Sequence, residues 1–111
     1  MNMILITHLF VEEGKRLRRI AVQDIRYLKA AGDYTVVYVD KGEFISSSGI
    51  GCIEQKLDPS RFMRVHRSFI VNLEYIHACH RDIGRLYLMM DDGQKIGVGK
   101  RYMHQIKSLI L

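Results

Sequence analysis

The sequence predicts a mainly β fold, a meander of short hairpins with one short helix in the middle and one at the C-terminus. Two observations predict it. Four short turns that combine an acid with a glycine separate segments of partial apolar alternation: Glu12-Glu13-Gly14-Lys15, Asp40-Lys41-Gly42, Asp82-Ile83-Gly84 and Asp91-Asp92-Gly93. Only two other stretches carry helical spacing. The 111 residues suit a single domain over 1–111, with no linker-like stretch. A content of 48% apolar and 26% charged residues is enough to bury one core.

Residues 4–11 suit a first strand, and Gly14, able to take positive φ, turns the chain back into residues 16–22. Residues 34–39 and 43–47 form the next hairpin. Residues 75–80 pair with 85–90, and 94–98 returns after Gly93. Between these lie Ile50, Ile53, Glu54 and Leu57 at i, i+3, i+4 and i+7. Asp58-Pro59 ends the run, which places a short helix over 49–57. A second helix starts near Lys100 or Arg101, with Tyr102, Ile106, Leu109 and Ile110 as its apolar stripe. Core packing explains both stripes without a cofactor.

Several function classes find no support. The apolar runs are only a few residues long, against the roughly 20 needed to cross a bilayer. Residues 1–11 lack the basic leader and small-residue cleavage site of a signal peptide. A cytoplasmic protein with no membrane partner is expected, with Cys52 and Cys79 as reduced thiols. The sequence has no Gly-rich loop after a strand, nucleophile elbow, HExxH or paired carboxylates, so neither catalysis nor a small-molecule substrate is expected. His77, Cys79 and His80 suggest a metal site. On a strand, however, His77 and Cys79 share a face that His80 does not, so no metal or other cofactor is expected.

Charge distribution points further. Of the 17 Lys and Arg, ten fall in three acid-free windows, 15–19, 61–67 and 99–111. The remaining seven bases face all twelve acids, so the +5 chain is −5 outside the windows. If the fold gathers the windows, they make an electrostatic footprint for a polyanion. The middle window belongs to FMRVHRSFIVNLEYI at 62–76. There, Phe62, Val65, Phe69, Ile70, Val71, Leu73 and Ile76 interleave with Arg64, His66, Arg67, Ser68 and Asn72. Apolar anchors give the polar side chains a fixed aim, which base reading requires and phosphate binding uses. A half-buried strand with a solvated polar face is the plainer reading of the same residues.

This stretch resembles the signature of the LytTR family, the DNA-binding output domains of many bacterial response regulators, which reads approximately F-x-R-x-H-R-S-F-x-V-N. On either side, DIRYLKAAGDY at 24–34 is similar to the family's D-I-x-Y-I-E-A-x-x-N-Y, and VGKRY at 98–102 to its V-S-R-R-Y. The three motifs occur in the family's order and the resemblance covers about 10–109. It implies an elongated stack of small antiparallel sheets with short helices at the side. It also implies a transcription regulator whose loops read the major groove of double-stranded DNA, two copies binding direct repeats. A receiver domain would accompany it in the full-length protein, and a start almost directly on a strand fits a domain excised from such a protein.

The resemblance also assigns residues. The base-reading position after the motif histidine falls on Arg67, and that of the closing motif on Arg101, with Lys100 beside it as a phosphate contact. A third base-contacting position falls near Thr35. Beside those assignments, the residues themselves suggest that His66 orients Arg67 or donates to a phosphate. Arg64 and Asn72 are further DNA-contact candidates, against the plainer readings that Arg64 pairs with an acid across the sheet and Asn72 braces the loop. The chain departs from the pattern at Asp33, where asparagine is common, and at Gly99, where serine is usual. The first places a carboxylate near phosphates and the second removes a hydroxyl. The rival expectation is a non-catalytic protein-interaction module with a basic face and exposed edge strands.

Overall fold

The computed structural model describes residues 4–111, so the first three residues of the apolar 1–11 stretch lie outside it. Three of the four expected turns close on a glycine at positive φ: Gly14 at 62°, Gly84 at 66° and Gly93 at 89°. They join β1 (His8–Glu13) to β2 (Arg16–Ala21), β8 (Ile76–Asp82) to β9 (Arg85–Met90), and β9 to β10 (Lys95–Gly97). At the fourth, β4 (Tyr34–Val39) meets β5 (Gly42–Ser46) without positive φ, because Gly42 already belongs to the strand. A further turn on Gly32, at φ 63°, joins β3 (Tyr27–Ala31) to β4. The 62–76 stretch is a hairpin rather than one strand. In it β6 (Phe62–His66) and β7 (Phe69–Asn72) meet at Arg67 and Ser68, with a bulge between Arg64 and His66.

All pairings are antiparallel. One sheet has seven strands in the order β2-β1-β5-β4-β3-β7-β6, and the other has three, β10-β9-β8. The mainly β stack is therefore as expected, although one of its sheets is not small. The β1–β2 hairpin joins the rest of the large sheet through a single register pair, Glu12 with Ile45, and packs Val11 and Ile20 into the core beneath α1. The first strand runs two residues further than expected at its C-terminal end and begins four residues later than expected, at His8. The molecule measures 47 × 36 × 24 Å. No helix among the described residues is long and apolar enough to cross a membrane.

Strand alternation divides the core in two. On one face of the large sheet Leu28 pairs across strands with Val37 and Ile70, under α1 (Ile50–Glu54), whose Ile50 and Ile53 are buried there with Leu57. On the other face, Tyr27 and Val71 meet Leu86, Leu88, Met90 and Ile96 of the small sheet. Each such aliphatic contributes about 1.5–3 kcal/mol through burial. Tyr27 stacks on Tyr38 at 4.4 Å and donates to Asp92 at 2.9 Å, and burial pushes its phenol upward. The C-terminal segment begins as a 3₁₀ turn, Lys100–Tyr102, and continues as α2 (Met103–Lys107). Ile106 is buried, but Leu109 and Ile110, expected in the same stripe, are about half exposed because the helix ends before them.

Candidate nucleic-acid interface

Antiparallel alternation brings three loops to one end of the large sheet. His66 ends β6, Phe69 starts β7, Ala31 ends β3, Tyr34 starts β4 and Ser46 ends β5, and these termini pair with one another or with residues one or two positions inside them. The Arg67-Ser68 turn is tied to β3 by the Ala30 amide, which donates to the Ser68 carbonyl at 2.8 Å. The closing motif arrives from the small sheet, where the Gly99 amide donates to the Val65 carbonyl at 2.8 Å. That bond places Lys100 and Arg101 beside His66 and Arg67. All three cations are exposed, and among the described residues none has an acid within ion-pair distance.

Arg67 itself is held through its backbone. Arg64, with only 16% of its side chain exposed, donates from Nε to the His66 carbonyl at 2.9 Å and from Nη2 to the Arg67 carbonyl. Its Nη1 donates to Glu54 of α1 at 2.6 Å. Arg64 is thus engaged inside the protein, and the acid it pairs with lies on the helix rather than across the sheet. His66 accepts the Ser68 amide at Nδ1, 3.0 Å away, which leaves Nε2 as the remaining ring nitrogen, and its ring meets Phe69 edge-on. A Cβ on Gly99 would stand 3.3 Å from the Tyr102 ring and 3.7 Å from His66 Cα. The glycine thus fits a close approach of the two loops.

Two expected DNA contacts are placed otherwise. Thr35 is fully buried, and its hydroxyl donates to the Ser48 carbonyl at 2.8 Å. Its side chain is spent on fixing the loop after β5; Tyr34, Ser47 and Ser48 are the exposed residues there. Asn72 is buried at the opposite end of β7 from the Arg67 turn. Its Nδ2 donates to the Ile25 carbonyl at 2.8 Å and its Oδ1 accepts the Glu74 amide at 3.1 Å. It therefore braces the structure, as one of the expectations had it, and makes no surface for DNA.

The basic windows do not all converge. The turn of the 15–19 window lies toward the other end of the strands, and Arg16 and Arg18 are both paired with Glu13 at 2.9 and 2.8 Å. Arg61 precedes β6 whereas Arg67 follows it, a separation of roughly 20 Å along an extended strand. Sequence proximity thus overstates the cluster. It also hides Lys29, exposed on β3 opposite Phe69 with its Nζ 5.9 Å from that ring, and the Arg81, Arg85 and Lys107 group beside α2. Strand register, once known, would have found Lys29; Glu54 stood out in the sequence as the one acid in the stripe of the short helix, without a sign of its partner.

Cations without ion-pair partners on loops at one end of a β scaffold, with no long helix among the described residues, make a surface suited to a polyanion. The chain belongs to the LytTr DNA-binding domain family, whose model matches residues 15–111. It is 35% identical over 98 residues to the sensory transduction protein LytT of Bacillus subtilis, an alignment covering 87% of this chain and 41% of that protein. It is 28% identical over 99 residues to the CO-responsive transcriptional regulator RcoM of Rhodospirillum rubrum, covering 87% and 42%. The chain therefore spans about two fifths of the length of these relatives. Its fold matches a solved LytTr DNA-binding domain from Bacillus cereus, with a TM-score of 0.84 at 24% identity over 94% of this chain and 96% of that one. This membership supports the resemblance drawn from the three motifs and does not favour the interaction-module alternative.

Proposed function

We propose that this chain binds double-stranded DNA sequence-specifically as the output domain of a transcription regulator, with Arg67 and Arg101 reading base edges in the major groove. The observation that carries the reading is the bond between Val65 and Gly99, which sets the two unpaired arginines on neighbouring loops of one sheet end. Each arginine can donate two parallel hydrogen bonds to guanine. Lys100 holds a phosphate beside them, and the Nε2 of His66 and the ammonium of Lys29 are further candidates for the backbone. Two copies occupy direct repeats about one helical turn apart, on one face of the duplex. Relatives more than twice as long, named for sensory transduction or CO response, support a partner domain that senses, a receiver being the expected one.

Selection from a random duplex pool at near-physiological salt tests this reading. Enrichment of a repeated motif supports it, whereas binding without enrichment leaves only a charged surface. Lys100→Ala is expected to weaken all duplexes about equally and to reduce the slope of log affinity against log salt by about 0.9. Asp33 is exposed at the same end and has no ion-pair partner among the described residues. Asp33→Asn is therefore expected to raise affinity for every duplex about threefold at low salt, with the gain shrinking as salt rises. Titrations at several salt concentrations read both effects.

A further inference from the structure

We infer that Glu54, on α1 and away from the loops, is a positioning residue for base recognition, acting through Arg64 on the backbone that carries Arg67. The proposal rests on the DNA-reading role of Arg67. α1 is fixed by burial of Ile50 and Ile53, so the Glu54 backbone has little freedom. From there the carboxylate accepts Arg64 Nη1 at 2.6 Å, while Nε and Nη2 of the same guanidinium hold the carbonyls of His66 and Arg67. Three donors of one planar group thus point to three acceptors, two of them successive carbonyls of the loop. A lysine, with a single ammonium on a flexible stem, has no equivalent fork.

The carboxylate does more than complete a hydrogen-bond count. A mostly buried guanidinium facing only carbonyl dipoles would carry an uncompensated charge, and it would gain by swinging out to water. Glu54 supplies the countercharge and fixes the plane of the fork. The loop is clamped from both layers of the fold: Glu54 and Arg64 act from the side of α1, while Gly99, bonded to the Val65 carbonyl, lies close to His66 from the side of the small sheet. Base reading requires this double support because a rotated Arg67 still attracts phosphate but no longer meets both guanine acceptors.

Charge alone makes the opposite prediction, which gives the test its sign. If Glu54 were only an acid near DNA, Glu54→Ala would strengthen binding to selected and scrambled duplexes alike. Under the positioning account, affinity for the scrambled duplex rises slightly while the ratio of selected to scrambled falls about tenfold, on the order of one good bidentate contact. Glu54→Asp, one methylene short of Nη1, is expected to show the same loss. Glu54→Gln, whose amide oxygen still accepts from Nη1 but supplies no countercharge, is expected to fall between wild type and Glu54→Ala. In an Arg67→Ala background Glu54→Ala should cause no further loss at the base that Arg67 reads. The carboxylate is 42% exposed, and melting curves establish that each variant is folded at the assay temperature. An unchanged ratio in both Glu54→Ala and Glu54→Asp, or losses that add to that of Arg67→Ala, overturns the proposal. If Arg67→Ala itself leaves the preference intact, the reading of Arg67 fails first and this one with it; if only the Glu54 variants are silent, positioning alone falls.

Discussion

Arg67→Ala is expected to abolish preference at one base pair of the selected site while leaving most of the general affinity for duplex DNA. One bidentate arginine–guanine contact contributes about 1–3 kcal/mol of discrimination, up to roughly a hundredfold in relative affinity. General affinity comes from phosphates, and Lys100, Arg101 and Lys29 remain exposed around the site after the substitution. The substitution should not disturb the fold, since the side chain of Arg67 is exposed and the loop is held by its backbone carbonyls. Parallel selection from random pools with wild type and variant reads the result as one blurred position in an otherwise intact motif. An unchanged motif would remove Arg67 from the reading set and leave Arg101 as the principal reader. Arg67→Lys is a stringent companion, because it keeps the charge and loses the planar fork.

The second large effect is on stability. Asn72→Ala is expected to destabilise the domain by about 2–3 kcal/mol, because the Ile25 carbonyl and the Glu74 amide both lose their amide partner in or beside the core. For a domain of this size the loss lowers the melting temperature by roughly 10 °C. Native domains have about 5–15 kcal/mol in total, so the variant should still be folded at moderate temperature. At a temperature where it is folded, its base preference should equal that of wild type, since Asn72 lies at the far end of β7 from Arg67. Denaturant midpoints measure the first claim and duplex selection the second. A stable variant with altered preference would place Asn72 at the DNA and contradict its bracing role.

The two substitutions separate residues that sit five positions apart in one motif. Arg64, His66, Arg67 and Asn72 read from the sequence as one polar set on an apolar frame. The structure gives them different tasks, because β6 and β7 fold back on each other at Arg67 and the bulge redirects the side chains around it. Arg64 turns inward to Glu54 and the loop carbonyls, Asn72 is buried, and only Arg67 is left facing solvent without a partner.

The features legible in the sequence are local ones. Glycines that permit positive φ, alternation between them and i, i+3, i+4 spacing over 50–57 are properties of neighbouring residues, so hairpins and the short helix were legible, with boundaries shifted by a few residues. The family motifs were legible for the same reason, as contiguous words. Convergence, by contrast, came from the packing of the strands. Register places the β3–β4 turn, the Arg67 turn and the loop after β5 at one end. A single bond between sheets brings Arg101 to them, and the Glu13 pairs and the direction of β1–β2 leave much of the most basic window outside the site. Range separates the two: a turn or a helix is set by interactions across a few residues, whereas a charge cluster depends on pairings between strands tens of residues apart. The same holds for burial, which made Thr35 and Asn72 structural and turned Glu54, an acid in the stripe of the short helix, toward the arginine that holds the recognition loop.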